Sequence, residues 1–293
     1  MASANVRVEA FYAFELIYGR DEAVAVSQLY TLDIRDPAAS EIPVALPGSA
    51  NLDPTASPDG TRIAYVALTP TETSIYAANR DGSGALRLTT IAGRFDQPAW
   101  SPDGSLIAFR GRLAGQDADI WVMSPDGTNA LALTTSHGPT NQSAPAWSPQ
   151  LSDGSYRIAY SHSEGGLGHL WTMRADGSDK RQVTSSSQHY DDMPSWSPDG
   201  QTIAFVRTGP AVFGDIYIVE ASGGTGRLLT QLIGPLAGPQ LDPSWSPDGN
   251  LIAFASSHAD THYQIYTVWA DGTRVVRRTF DPNDHWSPGW LVE

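Results

Sequence analysis

The chain has no cysteine, and of its 18 basic residues only Lys180 is a lysine. Without thiols it can form no disulfide, thiolate nucleophile or cysteine-ligated metal centre, and the compartment is left open. The 32 acidic residues outnumber the basic ones, giving a net charge of −14. Such a surface repels phosphate backbones, so nucleic acid is not the expected partner, and cations and basic surfaces are favoured. No apolar run approaches the length of a membrane-spanning helix, so no membrane insertion is expected. The opening Met1-Ala2-Ser3-Ala4-Asn5 has neither a basic n-region nor an apolar h-region, and no signal peptide is read there. Also missing are a G-x-S-x-G elbow, a P-loop and an H-E-x-x-H pair, so no familiar catalytic spacing announces an enzyme.

What the chain has is repetition. Pro98–Gly104 reads P-A-W-S-P-D-G, Pro194–Gly200 reads P-S-W-S-P-D-G, and Pro243–Gly249 repeats the latter. Pro54–Gly60 has Ala56 in the tryptophan's place, Pro145–Pro149 reads P-A-W-S-P, and His285-Trp286-Ser287-Pro288-Gly289 is a broken sixth copy. Aligned on the serines at 57, 101, 148, 197, 246 and 287, the spacings are 44, 47, 49, 49 and 41 residues. Self-similarity at such a period means a stack or ring of equivalent units.

Each unit reads as two hairpins. S-P-D-G is a turn, with proline presetting φ and glycine free to take a left-handed conformation. After it comes a short apolar run: Ile63-Ala64-Tyr65, Ile107-Ala108-Phe109, Ile158-Ala159-Tyr160, Ile203-Ala204-Phe205 and Ile252-Ala253-Phe254. Such runs suit strands covered on both faces, with isoleucine and aromatic on one side and alanine on the other. A second hairpin carries an aromatic (Tyr30, Tyr76, Trp121, Trp171, Tyr217 or Tyr266), often an Asp-Gly turn, and a closing Leu/Val-Thr. The expected fold is all-β: a six-bladed β-propeller of four-stranded antiparallel blades forming one domain over 1–293. Its blades are 10–48 plus 281–293, 49–92, 93–139, 140–187, 188–236 and 237–280. The ring closes where the C-terminal strand joins strands predicted at Phe14–Gly19, Gln28–Ile34 and Ile42–Leu46, removing an open sheet edge.

The pattern P-x-W-S-P-D-G-x-x-I-A-F, then I-Y, D-G and L-T, resembles the WD40-like repeats of the TolB-type six-bladed propellers over nearly the whole chain. The additional α/β domain that precedes the propeller in TolB has no counterpart here. The resemblance implies an exported bacterial protein, periplasmic or otherwise extracytoplasmic.

Strand order puts the S-P-D-G and Asp-Gly turns on one face. On the other face the reading expects long loops between the second and third strands, such as His162–His169 and Thr208–Asp215, together with the crossovers between blades. Binding residues concentrate on irregular loops, so the crossover mouth is the expected site. Just before the strand prolines lie Asp53, Asp96, Gln142 with Ser143, Asp191 with Asp192, Asp242 and, in the broken copy, Asp284. Their ordinary role is capping turns. Gathered near one axis, like charges repel, and a cation or basic ligand relieves them. The oxygen-only set Asp53, Asp96, Asp192, Asp242 and Asp284 suits Ca²⁺ better than Zn²⁺. Crossover histidines His137, His189 and His285, with Arg94 and Tyr190, complete the candidate ligand-binding set, and Phe95, Phe213 and Trp290 are further aromatic candidates. The five strand tryptophans, Trp100, Trp147, Trp196, Trp245 and Trp286, read as core.

The functional expectation is a monomeric, non-enzymatic propeller that captures a peptide, protein segment or small ligand, preferably basic, at an acidic mouth. One alternative is a metal-dependent polysaccharide lyase or hydrolase using His137, His189 and His285. A lectin-like module that binds sugars without cleaving them is another.

Overall fold

Twenty-four short strands form the described part of the protein, a computed structural model covering residues 14–23, 26–35, 40–46, 50–68, 72–135, 138, 140–210, 212–230, 239–257 and 262–292. The first three are β1 (Phe14–Ala23), β2 (Val26–Asp33) and β3 (Ile42–Val44). Five groups of four follow. They are β4 (Asn51–Ala56), β5 (Arg62–Leu68), β6 (Thr73–Asn79) and β7 (Leu86–Arg87), then β8 (Gly93–Trp100), β9 (Ile107–Leu113), β10 (Asp119–Met123) and β11 (Leu131–Ala132). Next come β12 (Thr140–Trp147), β13 (Arg157–Glu164), β14 (Leu167–Arg174) and β15 (Arg181–Gln182). The last groups are β16 (Tyr190–Trp196), β17 (Thr202–Gly209), β18 (Val212–Glu220) and β19 (Arg227–Leu228), and β20 (Gln240–Trp245), β21 (Leu251–Ser256), β22 (Gln264–Trp269) and β23 (Val276–Arg277). The chain ends on β24 (His285–Val292), which pairs antiparallel with β1 to give the order β24-β1-β2-β3. Within each group consecutive strands pair antiparallel, and a single parallel pairing, Thr73 with Arg94, ties the second group to the third. The fold is propeller-like and all-β.

The S-P-D-G turn is held by its own side chains. In the Ser57 copy the hydroxyl donates to Asp59 (2.5 Å) and accepts from the Arg62 N–H (2.9 Å), while Asp59 accepts from the Thr61 N–H. The Ser101, Ser197 and Ser246 copies repeat this. These hydrogen bonds hold Asp59, Asp103 and Asp199 below the usual carboxylate range, and Asp81, Asp126, Asp176 and Asp271 do the same work in the second turns. Much of the acidic excess is therefore spent on turns. The closing threonines act similarly, Thr89, Thr134, Thr184 and Thr279 each accepting a backbone N–H 14 residues upstream at 2.9–3.0 Å.

Packing follows the alternation read from the apolar runs. Ile63 and Tyr65 pack with the first sheet's Ile17 and Leu29, while Ala64 faces the next sheet's Ile107 and Phe109. Ala108 faces Ile158 and Tyr160, Ala159 faces Ile203 and Phe205, and Ala204 faces Ile252 and Phe254. Finally Ala253 and Ala255 meet Leu16, Tyr18 and Trp290. A small residue opposite a large one lets neighbouring sheets approach and fill the space between them.

Two expectations change. Residues 162–169 and 208–215 are not irregular loops. They extend the hairpins β13–β14 and β17–β18, with His162 paired across from His169, because Gly165 and Gly166 (φ 60° and 84°) supply the left-handed turn a two-residue hairpin needs. The sixth repeat is also shifted. Pro288, expected to match the turn proline Pro58, instead matches the strand proline Pro54 and its equivalents, so Trp290 takes the place of the strand tryptophan and Trp286 does not. Trp290 is buried to 8% exposure, as Trp100 is, and its indole N–H donates to the Ser244 carbonyl (3.0 Å) as Trp147 donates to Ala99 (3.1 Å).

Candidate functional site at the axis

Every first strand is bent at one place. The residue before its proline is left-handed in all six copies: Asp53, Gln97, Ala144, Met193, Asp242 and Ser287 have φ between 48° and 55°. None is glycine, and a following proline disfavours helical backbone, so the conformation costs energy at each site. Each bend coincides with a register shift between the first and second strands, a β-bulge that re-aims side chains.

The bent residues link one sheet to the next. Ser287 N–H donates to Asp242 (3.1 Å), and the Ser287 hydroxyl lies 3.1 Å from Asp242 and 3.2 Å from Asp53. Asp53 accepts from the Gln97 N–H (3.4 Å), and Gln97 Oε1 accepts from the Ala144 N–H (2.8 Å). Ala144 and Met193 carry no such acceptor, and there Ser143 Oγ donates to Asp192 (3.2 Å), which also accepts its neighbour Met193 N–H (2.8 Å). The hydroxyl of Ser287 has one hydrogen and two carboxylates in reach. A proton on one carboxyl satisfies all three groups.

Electrostatics agrees. Burial pushes Asp53 up to about 7, reinforced by the charges of Asp242 and Asp96. Burial likewise raises Asp242, Asp192 and Asp96, the last opposed by Arg110, whose Nη1 lies 3.1 Å from Asp96 Oδ2. Four aspartates, Asp53, Asp96, Asp192 and Asp242, thus share one electrostatic neighbourhood. A cavity of about 490 Å³ begins at the bent residues and is lined onward by the strand prolines, by Trp100, Trp245 and Trp290, and by Pro58, Pro102 and Pro247 of the turns. It lies toward the S-P-D-G face, the side opposite to the crossover mouth expected from loop length.

The other sequence candidates are elsewhere. Asp191 turns into its blade, fully buried in a two-pronged pair with Arg207 (2.6 and 2.8 Å). Gln142 is buried against His162 Nδ1 (2.7 Å). His285 is buried in the first sheet, and Asp284 accepts the Tyr263 N–H (2.6 Å), so neither joins the axial four. His189 contacts Ser186 (2.9 Å), Tyr190 lies over Gly168, and Arg94 is exposed beside Asp96. His137 lies outside the described residues, and His189 precedes β16 whereas His285 begins β24 in another sheet. Phe95 is core against Phe109, which withdraws it as a ligand contact, while Trp290 packs in the core and also lines the cavity; the side chain of Phe213 lies outside the described residues. Sequence reasoning missed Ser287, Gln97 and Arg110. Alignment on the prolines instead of the serines brings out Ser287, Gln97 stands directly before Pro98 as Asp53 stands before Pro54, and the cross-strand pairing of Asp96 with Arg110 accounts for the third.

Comparison with known proteins fits this architecture. An uncharacterized protein of Agrobacterium fabrum, Atu1656, is 30% identical over 215 residues, covering 70% of each chain. The uncharacterized peptidase YuxL of Bacillus subtilis is 29% identical over 191 residues, 52% of this chain but only 29% of the peptidase. Among solved structures, TolB from Acinetobacter baumannii superposes with a TM-score of 0.75 at 20% identity, over 96% of this chain and 67% of that one. The family model for the TolB beta propeller domain matches residues 10–213 and 140–293, and the chain belongs to that family.

Proposed function

We propose that the chain is a non-enzymatic interaction scaffold, a single six-bladed propeller over 1–293 whose ring is closed by β24 beside β1. The blades are 10–48 with 281–293, 49–92, 93–139, 140–187, 188–236 and 237–280. Its binding site is the axial channel, and its ligand is a peptide or protein segment that presents a cationic group to Asp53, Asp96, Asp192 and Asp242. The observation that carries this reading is the convergence of four desolvated carboxylates on six costly left-handed residues. Strain and unfavourable charge kept together in one place mark a site that a ligand completes. The adjoining cavity of about 490 Å³, walled by prolines and tryptophans, gives such a segment an apolar sleeve. Family membership supports an extracytoplasmic setting. The peptidase relative shares less than a third of its length with this chain, so its activity is not transferred.

A library of basic, neutral and acidic peptides, set beside uronic-acid and neutral oligosaccharides, tests the reading. Basic peptides should bind, associate more slowly as salt rises, and weaken when Asp53, Asp96, Asp192 and Asp242 become asparagine. Preference for acidic or sugar ligands, or binding indifferent to the four changes, refutes it.

A further inference from the structure

Away from the axis, the closing strand starts on a histidine with one ring nitrogen left without a hydrogen-bond partner. His285 is fully buried, and its Nε2 has no hydrogen-bond partner. Two carboxylates face that nitrogen, Glu41 Oε1 at 3.5 Å and Asp281 Oδ2 at 3.6 Å, both beyond hydrogen-bond length. The other ring nitrogen, Nδ1, lies 3.3 Å from the Tyr263 carbonyl, which can only accept. Nδ1 therefore donates to that carbonyl, and Nε2 is left facing two carboxylate oxygens, so that three ligand-type atoms turn toward one point.

We propose that Glu41, Asp281 and His285 form a site for one divalent transition-metal ion of the zinc type. Their ligand atoms all lie within 4.8 Å of one another. Ligands ~2.0–2.1 Å from a tetrahedral zinc stand roughly 3.4 Å apart, close to the two spacings around Nε2. One imidazole with two carboxylates favours a transition metal over calcium or magnesium. The surroundings are those of a supported metal site. The Tyr263 carbonyl fixes the ring, and Arg20 donates to the far oxygen of Glu41 (2.5 Å) and to Asp281 (3.0 Å) while it also reaches Tyr30 (2.6 Å). Arg20 offsets one of the two negative charges, taking the far oxygen of Glu41 and sharing with His285 the near oxygen of Asp281. The buried Tyr18 packs in the same cluster, its ring 5.5 Å from His285. Glu41 and Asp281 retain 18% and 30% side-chain exposure, which gives an ion a way in. The three residues join the segment before β3 to the crossover into β24, so a bound ion staples the two ends of the chain together. This site is independent of the axial one.

The test uses the untagged full chain freed of metal with a chelator, and Zn²⁺ and Co²⁺ as probes. One Co²⁺ per chain should bind with visible d–d bands, Zn²⁺ should displace it, and zinc should raise Tm by several degrees. Glu41→Gln, Asp281→Asn and His285→Gln should each weaken Co²⁺ binding at least tenfold, while Glu220→Gln, exposed at the end of β18, should leave it unchanged. If His285→Gln does not fold, the two carboxylate variants still decide the matter. Absence of one-to-one binding at micromolar metal overturns the proposal. So does binding that survives the substitutions, or a wild-type His285 that stays protonated and insensitive to zinc by NMR.

Discussion

Replacing Asp53 by asparagine should stabilise the protein in mild alkali and do little in acid. An unfolded aspartate ionises near 3.8, whereas folded Asp53 keeps its proton to about 7. Between those values the folded chain binds more protons than the unfolded one, so stability falls as pH rises through the window and is level above it. At ~1.4 kcal/mol per tenfold change in proton affinity, the full rise corresponds to roughly 4 kcal/mol lost by the wild type. Asp53 is partly open to the channel, and water there should reduce the difference to ~1–2 kcal/mol. Asparagine escapes this loss because it cannot ionise. It also keeps the local bonds: its carbonyl can accept from Gln97 N–H, its amide can donate to the Ser287 oxygen, and the Ser287 hydroxyl then donates to Asp242. Urea unfolding followed by tryptophan fluorescence at about pH 4 and about pH 8 measures the difference between variants, in which the other carboxylates cancel. A variant equal to or weaker than wild type in alkali, or one that gains as much in acid, would refute the argument.

Calcium should raise Tm in mild alkali, when the axial aspartates are ionised, and Asp53→Asn with Asp242→Asn should abolish the effect; calorimetry flat up to millimolar calcium speaks against axial cation binding. Deleting residues 284–293 removes β24, with Trp290 and Leu291 and the whole partner edge of β1, and should lower stability far beyond the ~1 kcal/mol of a typical substitution. A truncated chain melting with the intact one would contradict closure by β24. Arg207→Ala leaves Asp191 buried and unpaired and should cost ~3–5 kcal/mol in chemical denaturation, whereas a loss under 1 kcal/mol would mean that the pair is not desolvated.

Local sequence determined the repeat, the turns and the alternation of each strand, because these depend on residues a few places apart. Proline and glycine set the S-P-D-G turn, serine and aspartate cap it, and the Ile-Ala-aromatic order already decides which face meets which neighbour. The pairing of the two ends follows from the unfinished last repeat, and β24 pairs with β1. Tertiary structure decided what the crossover acids do. In sequence Asp191, Asp192 and Asp242 look alike. A one-residue step along a strand reverses its side chain, and the left-handed bulge before each proline resets that alternation. Asp191 therefore enters the blade to meet Arg207, while Asp192 and Asp242 join the axial group. His285, Glu41 and Asp281 are close only because the two ends of the chain share a sheet, a contact across more than 240 residues that no local pattern encodes.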